Sequence, residues 1–163
     1  MNHVKFLVSV VIALAIDRID GSADVMREMT LRVGKVIEAC KTELDIPDNK
    51  MEDFVNFWKE GYELQHRETG CVVMCMSSKL NLLDPDGKLH HGNAHEFAVS
   101  HGADDGMASQ LVNLVHGCEN SIPNNEDACL KVLDLARCFK DGVHKLNWAP
   151  NVDLVIGEIL AEV

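Results

Sequence analysis

The chain has 163 residues, 47% of them hydrophobic and 25% charged, the balance of one globular domain rather than of a disordered chain. Its net charge of −11 argues against nucleic acid and anionic membrane as main partners, because both would repel it. Aromatic residues make up only 5%, so any pocket must be lined mainly by aliphatic and Met side chains.

Lys5 is followed by an apolar run from Phe6 to Ile16, too short for a spanning helix but of the length of a signal-peptide core. Cleavage is expected after Gly21, although the charged stretch Asp17-Arg18-Ile19-Asp20 is unusual just upstream of a cut. On this reading residues 1–21 are a signal peptide and residues 22–163 an exported domain. No second apolar run reaches transmembrane length.

The rest of the chain reads as helix almost throughout. Val25, Met26, Met29, Val33, Val36, Ile37 and Cys40 recur at steps of three and four, the period of one buried helix face. Pro47-Asp48 offers a helix start, with Met51, Phe54, Val55, Trp58 and Tyr62 on the next stripe. Every residue from Cys71 to Met76 is apolar, so that helix is expected at the centre. Asp84-Pro85-Asp86-Gly87 is a turn by its chemistry. Met107, Leu111, Leu114, Val115 and Cys118 form another stripe, and Cys129, Val132, Leu133, Ala136, Phe139 and Val143 a further one. No segment alternates long enough to suggest a strand. The expectation is an all-α domain.

Leu146-Asn147-Trp148-Ala149-Pro150 should end the last long helix, and no cysteine holds the chain beyond Pro150. Within the tail, Val152, Val155, Ile156, Ile159, Leu160 and Val163 repeat with helical period, flanked by Asp153, Glu158 and Glu162. One reading is a terminal helix packed permanently on the domain. The other is a segment whose docking depends on ionisation, since burying a charged carboxylate costs far more than burying a protonated one.

Cys40, Cys71, Cys75, Cys118, Cys129 and Cys138 all lie downstream of the expected cleavage site. Six cysteines in an exported chain imply three disulfides, with fifteen pairings open. Cys71 and Cys75 lie one helical turn apart on one face, so they more readily tie their helix to two other segments than bridge each other. Catalytic signatures are missing: there is no GxSxG, no HExxH, no phosphate-cradling glycine loop and no spare nucleophilic Cys. His90, His91 and His95 cluster, and His91 and His95 would share one helical face, but no third metal ligand has spacing to match that pair, and Asp84 and Asp86 lack the remaining positions of a calcium loop. His116 lies in an apolar helix, where a lone His is usually a satisfied core residue. No enzyme, metal or cofactor is expected.

The spacing C-x30-C-x3-C-x42-C-x10-C-x8-C is similar to that of insect odorant-binding proteins. Five segments resemble those of the moth pheromone-binding proteins in particular. They are Asn56-Phe57-Trp58-Lys59-Glu60-Gly61-Tyr62-Glu63, Arg67-Glu68-Thr69-Gly70-Cys71, Lys79-Leu80-Asn81-Leu82-Leu83-Asp84-Pro85, His90-His91-Gly92-Asn93-Ala94 and His144-Lys145-Leu146-Asn147-Trp148-Ala149-Pro150. The similarity spans residues 22–163 and favours that subgroup over the general odorant-binding proteins, carriers of plant volatiles.

The resemblance implies about six helices around an apolar cavity, with Cys40 paired to Cys75, Cys71 to Cys129 and Cys118 to Cys138. It implies a carrier, secreted into the lymph of the antennal sensory hair, that takes long-chain unsaturated alcohols, acetates or aldehydes to a membrane olfactory receptor. The implied pocket residues are Met26, Val33, Phe57, Trp58, Val73, Ser77, Phe97, Val115 and Phe139, with Ser77 offering its hydroxyl to the ligand's polar end. Several relatives place a Phe where this chain has Val33, which should alter the pocket volume. Acid release by the tail 149–163 is implied as well. Asp153, Glu158 and Glu162 would then hold it outside at neutral pH, and His90, His91 and His116, if neutral and partly buried, would destabilise the ligand-bound form once protonated. A homodimer at neutral pH is allowed; the sequence leaves the oligomeric state open. Two rival classes are a secreted helical signalling protein with a solid core and a small phospholipase-type enzyme, which would need a His–Asp pair beside a calcium loop.

Overall fold

The structure, a computed structural model, describes the backbone of residues 2–155 and the side chains from residue 21 onward. The elements described in full are six α-helices and one 3-10 turn: α1 (Asn2–Glu43), the turn Asp48–Lys50, α2 (Glu52–Val55), α3 (Arg67–Lys79), α4 (His91–Ser100), α5 (Asp105–Ser121) and α6 (Ala128–Lys145); residues 152–155 are helical as well. Among the described residues the only β-type pairing is an isolated bridge between Leu83 and Leu89, so the domain is all-α as expected. No helix among them is long and apolar enough to cross a membrane. The expected cleavage point after Gly21 falls inside α1, which runs through it without a break.

Local chemistry sets several of the helix ends. Asp104 caps α5 by accepting the Met107 N–H at 2.7 Å, and Asp127 caps α6 by accepting those of Cys129 and Leu130. The Asp84 carboxylate accepts the backbone N–H of Asp86 and of Lys88, closing the expected turn. At the far end of α6, Asn147 adopts φ 57°. Its N–H then reaches the His144 carbonyl and the Trp148 N–H the Val143 carbonyl, satisfying the carbonyls that a helix end leaves open.

One expected helix is cut short. The stripe from Met51 to Tyr62 is helical only as far as Val55, and Asn56–His66 is an irregular strap. The cause is Asp53, fully buried on α2. Its carboxylate accepts the N–H of Gln65 and of His66, the Tyr62 hydroxyl and the Thr69 hydroxyl, all at 3.1 Å or less. A continued helix would carry those donors away from it, so the chain turns back instead, passing through Gly61 at φ +71°. From the other side, Arg137 donates to the Leu64 carbonyl and Lys140 to the Tyr62 carbonyl. This doubly braced strap presents Phe57 and Trp58 to the interior.

α3 lies at the centre, packing most extensively on α6 and then on α1, as its apolar run Cys71–Met76 leads one to expect. The approach to α6 is so close that a Cβ on Gly70 would lie 1.8 Å from the Cys129 carbonyl oxygen. All six cysteines are paired in the expected pattern, with Cα separations of 6.0 Å for Cys40–Cys75, 4.6 Å for Cys71–Cys129 and 5.7 Å for Cys118–Cys138. The bridges join α1 to α3, α3 to α6 and α5 to α6, so these four helices cannot separate.

Candidate ligand-binding site

Between the helices and the strap lies a partly open cavity of about 310 Å³. Ligand-holding cavities are typically about 300–1,000 Å³, so this one suits a small or slender molecule. α1 contributes Met26 and Val33, the strap Phe57 and Trp58, and α3 Val73 and Ser77. Phe97 comes from α4, Val115 from α5 and Phe139 from α6. All nine residues that the resemblance implies for a pocket therefore line one cavity. Trp58, only 8% exposed, meets Phe57 edge-on at 4.9 Å and Phe139 at 6.4 Å between ring centroids. A larger depression, about 480 Å³, lies on the surface between the strap and α6. Its lining includes Glu60, Glu63, Arg137, Lys140 and Asp141, which suits water rather than an apolar molecule.

Polar side chains in the cavity wall are few. The Thr30 hydroxyl donates to the Met26 carbonyl at 2.7 Å and accepts the Trp58 indole N–H at 2.9 Å, tying the strap to α1. Glu119 accepts the Leu89 N–H at 2.9 Å, which holds the Leu82–Leu89 loop over α5. The Ser77 hydroxyl makes no hydrogen bond to another described residue. Thr30 and Glu119 were not singled out from the sequence, although each left a trace. Thr30 lies four residues after Met26, on the edge of the buried stripe, and Glu119 lies three after His116, on the same helix face. Asp53 left no local trace, because its partners lie nine to sixteen residues downstream.

The expected pH-switch residues are scattered. His90 and His91 are exposed, so the partial burial on which their expected role depended is not met: both sit at the solvent-facing start of α4. His90 has a different involvement, as the cap of α4, its Nδ1 accepting the Asn93 N–H at 3.2 Å. An imidazolium cannot accept that bond. The His91 ring lies 3.7 Å from that of His116, which is half-buried and has Nδ1 2.9 Å from Glu119 Oε2. His116 is thus not an isolated core histidine, since an imidazolium there would face a carboxylate. His95 turns instead to Asp105 of α5, at 3.1 Å. Among the described residues no group of three or more His, Cys, Asp or Glu is arranged to hold a metal ion.

Of the tail, residues up to Val155 are described. Trp148, Ala149 and Val152 pack against the main core cluster and Val155 is buried, yet none of them lines the cavity. Asp153 is exposed, whereas Glu158 and Glu162 lie outside the described residues.

Residues 22–142 match the model of the PBP/GOBP family. The chain is 46% identical to pheromone-binding protein 2 of Epiphyas postvittana over 164 aligned positions, covering 100% of this chain and 99% of that one. It is 32% identical to general odorant-binding protein 1 of Bombyx mori, covering 93% and 94% of the two chains. The crystal structure of pheromone-binding protein 3 of Epiphyas postvittana superposes with a TM-score of 0.64 at 48% identity, covering 71% of this chain and 98% of that one.

Proposed function

The chain belongs to the PBP/GOBP family, a family of odorant carriers and not of enzymes, and from that premise we propose that it carries long-chain unsaturated alcohols, acetates or aldehydes in the cavity between its helices. The observation that carries the reading is the cavity itself: a wall of aliphatic and aromatic side chains with one unengaged hydroxyl, that of Ser77. Burial of the chain supplies most of the affinity, and Ser77 orients the oxygen at its end. Export of residues 22–163 into the lymph of the sensory hair and delivery to a membrane receptor belong to the same reading. The family match beginning at residue 22 and the three disulfides support that export. The test is displacement of an apolar fluorophore by long-chain alcohols and acetates. Trp58→Ala and Phe139→Ala should weaken binding more than Ser77→Ala, whose loss should be about tenfold or less. Abolition by Ser77→Ala with both aromatic truncations silent would overturn the assignment.

Acid release through the tail is the second part of the proposal. A carboxylate of Asp153, Glu158 or Glu162 taken into the apolar interior has its pKa raised there, so the tail-in state gains stability as pH falls and the proton is bound. Loss of the His90 cap on protonation acts in the same direction, loosening the first turn of α4, which carries the cavity residue Ala94. Affinity measured at pH 7 and pH 5, for the full chain and for one truncated after Trp148, separates the two contributions. The full chain should lose affinity in acid and the truncated one should keep most of it. Equal losses would make the tail a bystander.

A further inference from the structure

Among the described residues the cavity wall contains three polar side chains, Thr30, Ser77 and Glu119, and the Trp58 indole adds one more polar atom. Three of these four are already engaged. The Glu119 oxygens face the Leu89 N–H and His116 Nδ1. An indole has one donor and no acceptor, and that donor points at Thr30 Oγ1, 2.9 Å away. Thr30 in turn donates its proton to the Met26 carbonyl one helical turn back, at 2.7 Å, the common resting place of a helical Thr hydroxyl. With the proton committed there, Thr30 can offer the cavity only acceptor lone pairs, and the indole N–H occupies one of them.

We propose that Thr30 is a positioning residue which decides the group that meets the ligand's oxygen: it holds the Trp58 N–H against α1 and so leaves recognition of the polar end to Ser77. The inference rests on the carrier reading above and deepens it. A free indole N–H in an apolar wall would itself be a strong anchor for any ester, aldehyde or alcohol oxygen, because leaving it unpaired there is costly. Two competing donors would let the ligand bind in two registers. One donor in use and one sequestered gives a single register, with the apolar chain laid against Trp58 and Phe139 and the oxygen at Ser77.

The test is a double-substitution cycle on the protein, read by displacement of phenylnaphthylamine with dodecyl acetate and with dodecanol. In the native background Ser77→Ala should weaken dodecyl acetate by about tenfold or less, the worth of one neutral hydrogen bond. In a Thr30→Val background the released indole takes over the ester oxygen, and the same Ser77→Ala change should matter less than about twofold. Thr30→Ser, which keeps the hydroxyl, should restore the native penalty. An equal Ser77→Ala penalty in the native and Thr30→Val backgrounds overturns the inference. Should Thr30→Val fold poorly, Trp58→Phe in the native background decides it. The change should weaken dodecyl acetate and dodecane, which has no oxygen, by factors within about twofold of each other if the N–H is withheld from ligand; a loss for dodecyl acetate about fivefold or more beyond that for dodecane overturns the inference. Failure of both competitors to displace the fluorophore from the unsubstituted protein would overturn the carrier reading, and this inference with it.

Discussion

Replacing Asp53 by alanine would leave four donors facing a small void: the Tyr62 and Thr69 hydroxyls and the Gln65 and His66 backbone N–H groups. A buried donor without a partner costs about 1–3 kcal/mol, and the two hydroxyls can partly recover by rotating. The two backbone groups cannot, so the expected loss is about 3–5 kcal/mol. In a domain of this size that corresponds to a fall in Tm of roughly 6–20 °C. The perturbation also has a functional reading, since the strap that Asp53 gathers carries Phe57 and Trp58 into the cavity wall. Ligand affinity should therefore fall at temperatures where the variant is still folded. The pH dependence provides a second check. Burial pushes the Asp53 carboxyl up, but the bonds from His66, Thr69, Tyr62 and Gln65 outweigh it and hold it below the usual carboxylate range. A carboxyl depressed in the folded state contributes stability above its unfolded pKa of about 3.9, and that contribution is lost only as pH falls through the lower folded value. Between pH 7 and pH 5 the Asp53 contribution should stay constant. Thermal unfolding of both proteins at the two pH values, followed by circular dichroism, measures this. A gap between native and Asp53→Ala of less than about 1 kcal/mol, or one that closes by pH 5, would refute the brace.

At Gly70, alanine would drive a Cβ into the Cys129 carbonyl and the Leu133 N–H, backbone atoms that cannot rotate aside, so α3 and α6 must part. The expected destabilisation is at the upper end of the overpacking range, about 3 kcal/mol. Gly142→Ala should be milder, because the atoms nearest the Cβ there belong to the Leu114 side chain and not to backbone, and thermal unfolding of the pair should rank them in that order. Thiol titration of the denatured protein should find no free cysteine, and peptide mapping should recover the Cys40–Cys75, Cys71–Cys129 and Cys118–Cys138 pairs. Two or more free thiols, or a Cys71–Cys75 link, would contradict the frame.

The reach of the sequence depends on the range of the interaction that decides each feature. The stripes of α1, α5 and α6 are local, period-3.6 patterns, and those helices lie where the stripes put them. The end of α2 depends on Asp53 finding donors that arrive only at Tyr62 and beyond, so the apolar stripe through Trp58 and Tyr62 continued as a pattern after it had ended as a helix. The same stripe still reports burial, because Trp58 must be inside whether it arrives on a helix or on a strap. The cavity is the harder case. A residue such as Val115 or Phe139 is apolar at helical spacing whether it fills a core or lines a void, since both environments exclude water equally. Resemblance, not periodicity, pointed to the nine lining positions. What separates a void from a core is the support behind its wall: Thr30 pinning Trp58 from α1, Glu119 pinning the loop at Leu89, and Arg137 and Lys140 pinning the strap from α6. An apolar wall that nothing holds apart would collapse onto itself, because unfilled space forfeits the contacts its lining could make. Each of these polar side chains therefore favours the open interior by fixing a wall element to its own neighbour, at a distance from the opposite wall. Their sequence signal is correspondingly weak, one polar residue at the margin of an apolar stripe, and its meaning emerges only when the partner, 28 residues away for Thr30, comes into place.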